Sequence, residues 1–180
     1  VRSRLFAIGL VLALAGCTEH EAATASAPAP SPVQEPAASA GGICILWDYD
    51  FIADTIGVRF DVAAARSADD TATCVVGTQG GTWPYLALAV AQNKSVDADL
   101  FADGAPKGSS KLKGLGQTGY RVVGTATDGH GPTIEISWLS EAKQLQTLKF
   151  VFAPGAKSDD VSAMSDSLLD LAKAMDTTNG

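Results

Sequence analysis

Two histidines, His20 and His130, and three cysteines, Cys17, Cys44 and Cys74, carry the most specific chemistry in this 180-residue chain. His20 sits in an Ala/Pro/Ser-rich stretch, and His130 in Thr127-Asp128-Gly129-His130-Gly131, a hairpin-like turn. One histidine inside the compact part of the chain cannot assemble a multi-histidine zinc site, and no coherent nucleophile set accompanies it for a Ser-His-Asp triad, so His130 is read as a turn residue. Asp97, Asp99 and Asp103 have a fragment of calcium-loop spacing. Phe101, however, stands where an oxygen ligand is needed, and no bidentate Glu completes the loop. These acids are read as a solvated helix face. Glu135 and Glu141 flank Trp138 and would suit a carboxylate-pair hydrolase only if folding brought them together; strand alternation more simply makes them polar-face or turn residues. The glycine clusters at Gly77, Gly80 and Gly81 and at Gly114 and Gly116 lack the Lys-Ser/Thr ending or strand-to-helix context of nucleotide binding. Neither a cofactor nor a metal is expected.

Cys17 has a more definite setting. Arg2 and Arg4 precede an apolar run from Leu5 to Ala15, which closes in Leu14-Ala15-Gly16-Cys17. A short basic segment, an apolar core and small residues before a cleavage point make a secretory signal. The run falls well short of the roughly 20 residues that span the hydrocarbon layer. The tetrapeptide resembles the bacterial lipobox, which implies that residues 1–16 are a signal peptide and that the Cys17 sulfur carries the lipid. A thiolate is the nucleophile such a transfer needs, and Ala15 and Gly16 leave no bulk beside it. Two or more acyl chains, palmitate among them, turn marginal membrane binding into stable anchoring. The expected location is the outer face of the cytoplasmic membrane. Residues 17–42, with Pro28, Pro30, Pro32 and Pro36 among Ala, Ser and Glu, read as a disordered tether.

Residues 43–177, roughly 135 positions, are a normal length for one domain with its own core; residues 178–180 read as a flexible tail. The net charge of -7 argues against nucleic acid as a partner, since phosphate recognition needs a basic footprint, and a monomer is expected. With Cys17 lipidated, Cys44 and Cys74 remain as a pair outside the reducing cytosol, where a disulfide is the default. It would close a loop of about 31 residues and stabilise by roughly 3 to 4 kcal/mol. Metal or redox chemistry at these thiols would want a CxxC pair or neighbouring histidines.

The elements that must position these residues follow from periodicity. Leu46, Tyr49, Ile52 and Ile56 recur at helical spacing ahead of Gly57, and Val58, Phe60 and Val62 alternate as a short strand. Thr73 to Val76 and Trp83 to Ala91 read as strands; in the second, Leu86, Leu88 and Val90 face away from Tyr85, Ala87 and Ala89. Ser95 is placed to cap a short helix through Phe101, and Ala102 to Gly116 reads as a mobile loop. Strands follow at Tyr120 to Ala126, Thr133 to Trp138 and Thr147 to Ala153. Val161, Met164, Leu168, Leu171 and Met175 then form a one-sided helical stripe behind Ser158-Asp159. The expected architecture is α+β: an antiparallel sheet of five or six strands with the first and last helices packed on one face.

The order of these signals resembles a group of small actinobacterial cell-envelope lipoproteins. These combine a lipobox, a Pro/Ala/Ser-rich tether, a cysteine opening the domain before a short helix and a second cysteine some thirty residues on. They continue with a Gly-Leu-Gly turn leading into an aromatic-containing strand, matched here by Gly114-Leu115-Gly116 and Tyr120, and end in a helix. Similar disulfide-containing α+β domains serve as extracellular sensor modules of receptor kinases. With neither a kinase nor a spanning helix in this sequence, the resemblance implies a stand-alone role. The chain departs from the pattern in the acidic residues of its first helix and in Gln117-Thr118-Gly119, where such turns commonly carry an acid.

The functional expectation is noncatalytic binding at the envelope, with an envelope protein, a wall polymer or an apolar molecule as partner and the membrane held through the lipid. Carriage of a lipid or other apolar small molecule is the alternative, and an envelope-directed hydrolase a third. Lys107, Lys111, Lys113, Leu115 and Tyr120 are the expected binding edge, because glycine-rich backbone there stands beside a basic patch and an aromatic anchor. Trp47, Trp83, Tyr85 and Trp138 are read as core or core-edge aromatics.

Overall fold

The computed structural model describes residues 34–92 and 95–179. Cys17, the signal-like residues and the tether up to residue 33 lie outside the described residues. Seven strands form one antiparallel sheet: β1 (Val62–Ala68), β2 (Thr71–Gly77), β3 (Tyr85–Gln92), β4 (Ser110–Leu112), β5 (Thr118–Gly124), β6 (Thr133–Leu139) and β7 (Gln144–Val151). Their order is β1-β2-β3-β7-β6-β5-β4, so two meanders meet where β3 pairs with β7. The register explains the apolar alternation. Val76 stands opposite Leu86, Leu86 opposite Phe150 and Phe150 opposite Ile134; in the next row Cys74, Leu88, Leu148 and Ile136 align. All eight are buried, and because side chains alternate across a strand, all eight face one side.

Helices α1 (Tyr49–Ile56) and α3 (Ser158–Asn179) and two 3-10 turns, Ala37–Ala40 and Gly42–Leu46, supply the cover for that side. Asp48 starts α1 by accepting from the N–H groups of Asp50 and Phe51. Gly57 ends it at φ 72°, a left-handed conformation that costs little without a Cβ. Tyr49, Ile52 and Ile56 share one core with Val161, Leu168, Leu171 and Met175; α1 and α3 touch each other, and α3 packs on β6 and β7. A disulfide between Cys44 and Cys74, with Cα atoms 5.2 Å apart, joins the second 3-10 turn to β2.

The sheet has more strands than the five or six expected. The additional one is β4, inside the span read as a mobile loop: three residues, of which Leu112 alone is buried, are too few to show a period. The strand expected over Val58 to Val62 instead runs from Val62 to Ala68. Phe60 is buried just ahead of it, while β1 is a largely exposed edge of Ala, Arg and Ser with no alternation to read. The short helix α2 (Ala98–Asp103) is capped by Asp97, which accepts from the Leu100 N–H at 2.9 Å, not by Ser95. Packing also begins upstream of Ile43. Ala37 is fully buried and the Gln34 side chain donates to the Phe60 carbonyl at 3.1 Å, so residues 34–42 belong to the folded unit.

Candidate binding face

The other side of the sheet is left largely open. Val75, Ala87, Ala89, Glu135, Thr147 and Val122 remain partly exposed in mid-sheet, where small side chains surround Glu135 and its cross-strand neighbour Lys149. Two aromatic pairs bound this area. At one corner Tyr85 stacks on Trp83, with ring centroids 5.3 Å apart and planes 26° from parallel. Trp83 in turn meets the His130 ring, tilted at 59° and 5.7 Å away. Val151, the cross-strand neighbour of both Tyr85 and Thr133, is buried at this corner. The rings thus close a small apolar cluster and keep part of their surface in water. Gly131 lets the β5–β6 loop approach closely enough to supply His130: a Cβ there would collide with the Ala153 carbonyl.

At the other corner Tyr120 of β5 stacks on Phe101 of α2, with centroids 5.4 Å apart. Tyr120 stands opposite Ser137, Ser137 opposite Thr147 and Thr147 opposite Ala89. Tyr120 and Tyr85 therefore project from the same side, three strands and four residues apart, a diagonal of about 20 Å. Between them lie a Glu135–Lys149 ion pair at 4.0 Å and a Ser137–Thr147 hydroxyl pair at 3.0 Å. Ser137 is itself buried, so the middle of the face offers the partly exposed Thr133 and Thr147 hydroxyls, small apolar patches and a charge pair that neutralises itself.

The residues expected to form a binding edge are distributed unevenly. Lys111 and Tyr120 are cross-strand partners and line, with Phe101 and Ser109, a depression of about 160 Å³. Lys107 and Lys113 are exposed on either side of β4. Leu115 is only 1% exposed and sits beneath this edge, in the core. Its turn is held rather than loose: the Gly116 N–H donates to Asp176 at 2.9 Å, and a Cβ at Gly116 would collide with the Leu139 carbonyl.

The four aromatics read as core or core-edge residues divide in two. Trp47 and Trp138 are buried, whereas Trp83 and Tyr85 are half-buried on the open face. The separating signal was the phase of β3, in which Tyr85 is out of step with Leu86 and Leu88. His130 joins them only through the fold, with nothing in its local sequence to show it.

The acidic candidates have other placements. Asp97 caps α2, Glu135 pairs with Lys149, and Glu141 is exposed in the β6–β7 turn, where its carbonyl accepts from Gln117. Among the described residues, no group of three or more His, Cys, Asp or Glu could hold a metal ion, and no helix is long and apolar enough to cross a membrane. Comparisons with protein-family models, curated proteins and solved structures return no match to this chain.

Proposed function

We propose that this chain is a noncatalytic binding module, lipid-anchored through Cys17 outside the cytoplasmic membrane, whose uncovered sheet face binds a neutral polysaccharide of the envelope. The observation that carries the reading is the stacked Trp83–Tyr85 pair, partly exposed on that face while the other two tryptophans are buried. Aromatic faces offer a broad apolar surface with a negative quadrupole, suited to the C–H faces of sugar rings. The Phe101–Tyr120 pair supplies a second stacking point about 20 Å away, a spacing for an extended chain rather than a single sugar. Hydroxyl groups between the two pairs complement a neutral, hydroxyl-rich ligand, and the internally paired Glu135 and Lys149 favour no net charge in it.

The reading is tested by sedimenting the 180-residue chain with insoluble envelope polysaccharide. Truncating an aromatic anchor that a ligand covers commonly costs about 2 kcal/mol or more. Trp83→Ala should therefore weaken binding by about tenfold or more, and Tyr120→Ala should weaken it independently. Equal binding by wild type and both variants would remove the sheet face from consideration.

A further inference from the structure

A second site lies on the helix side of the sheet and stands independently of the open face. Arg121 occupies an apolar-side position of β5, directly opposite Ile136, and its side chain is 28% exposed. A guanidinium there needs strong partners, yet its contact with Asp166 of α3 is long, at 3.4 Å, and Asp166 is 85% exposed. Such an exposed pair contributes little and leaves most of the five donors of the guanidinium fork to be satisfied elsewhere. Beside it a groove of about 720 Å³ opens between the first half of α3 and the end of β5, walled by Val123, Pro132 and Val161 as well as by Arg121. Val123 is half-exposed in it. Ser165, 5% exposed, lines the same groove, and its Oγ has no hydrogen-bond partner. A buried hydroxyl without a partner is uncommon in a folded protein.

We propose that this groove binds a single-chain fatty carboxylate. The carboxylate displaces Asp166 and takes two parallel N–H bonds from Arg121, the geometry in which a guanidinium holds an anion best. The methylenes lie along Val123, Val161 and Pro132, and the Ser165 hydroxyl, one residue before Asp166 and without a partner of its own, turns to donate to the carboxylate. The volume is that of a small-molecule site, and the stretch of α3 from Ser158 to Asp166 gives it a length of about 12 Å, which suits a medium chain. Asp159 and Asp160 lie at the opposite end from Arg121, about 9 Å or more along the helix, which is close to the screening length at physiological salt. The chain is thereby oriented with its carboxylate at Arg121.

The test is titration of the 180-residue chain with decanoate below its micellisation concentration at neutral pH, followed by methyl NMR. One saturable site is expected, with shifts at Val123 and Val161. Arg121→Gln should weaken binding by about tenfold or more. Asp166→Asn removes the competing carboxylate and should strengthen it, a change of opposite sign that damage to the fold would not produce. Decanol should bind at least tenfold more weakly than decanoate, and acetate not measurably. Equal binding of decanol and decanoate, weaker binding by Asp166→Asn, shifts confined to another surface, or no saturable binding of decanoate would each overturn the proposal. None of these outcomes bears on Trp83 and the sheet face.

Discussion

Replacing Asp176 with alanine should destabilise the domain by about 2 to 4 kcal/mol, although this residue lies near the end of a helix and remains partly exposed. Its Oδ1 accepts from Trp138 Nε1 at 3.0 Å and its Oδ2 from the Gly116 N–H at 2.9 Å. Trp138 is 0% exposed, so without the carboxylate its indole N–H is stranded in the core, a loss of about 1 to 3 kcal/mol. Losing the charge-assisted bond to Gly116 adds about 1.5 kcal/mol or more. A carboxylate near a helix C-terminus is disfavoured by about 0.3 to 1 kcal/mol, and relief of that term offsets part of the loss. For a domain of this size, the net change corresponds to a fall of roughly 6 to 15 °C in melting temperature. Urea unfolding of wild type and Asp176→Ala supplies the free energy, and a cycle with Trp138→Phe isolates the pair. A loss below about 0.5 kcal/mol, or zero coupling in that cycle, would refute the reasoning.

Reduction of the Cys44–Cys74 bond should lower stability by roughly 3 to 4 kcal/mol without abolishing folding, and hydrogen exchange should rise first in the 3-10 turns and β1. Complete reduction with an unchanged melting temperature would contradict this. Gly116→Ala combines a φ of 51° with a collision at the Leu139 backbone, whereas Gly108→Ala, at φ 85° with open space around it, carries only the conformational cost of about 1 to 2 kcal/mol. Urea denaturation should place Gly116→Ala well above that cost. Burial, with Asp61 adding to it, raises the Tyr49 pKa above its ordinary value, so folding favours the neutral phenol. That stability is complete below the unfolded value near pH 10 and falls as pH rises through the raised folded value. Tyr49→Phe should flatten part of the alkaline loss in a stability–pH series.

The elements legible in the sequence were those with one wet and one dry side. The α3 stripe and the alternation in β3, β6 and β7 each reflect burial against a single layer, and the cysteine pair was readable once Cys17 was set aside for the lipid and the remaining two were placed outside the reducing cytosol. Elements whose exposure does not alternate were harder to place. β1 is an edge of small residues, and β4 is three residues long. Leu115 looked available because glycines surround it, yet those glycines let the turn press against Leu139 and drive the leucine inward. On the candidate face, Lys111 and Tyr120 were found through their neighbours in sequence, but Trp83, Tyr85 and His130 converge from β3 and a distant loop. Arg121 and Ser165 are likewise joined only by the packing of α3 on the sheet.

The most direct test of the central claim is an NMR titration of the 180-residue chain with a soluble neutral oligosaccharide prepared from envelope polysaccharide. The account predicts saturable shifts at the Trp83 indole, Tyr85, His130 and Tyr120, with small changes at Ala87 and Thr147 between them, and loss of the Trp83-end shifts in Trp83→Ala. Saturable shifts confined to the edge of β1 or to the surface of α3, with Trp83 and Tyr120 unmoved, would contradict it.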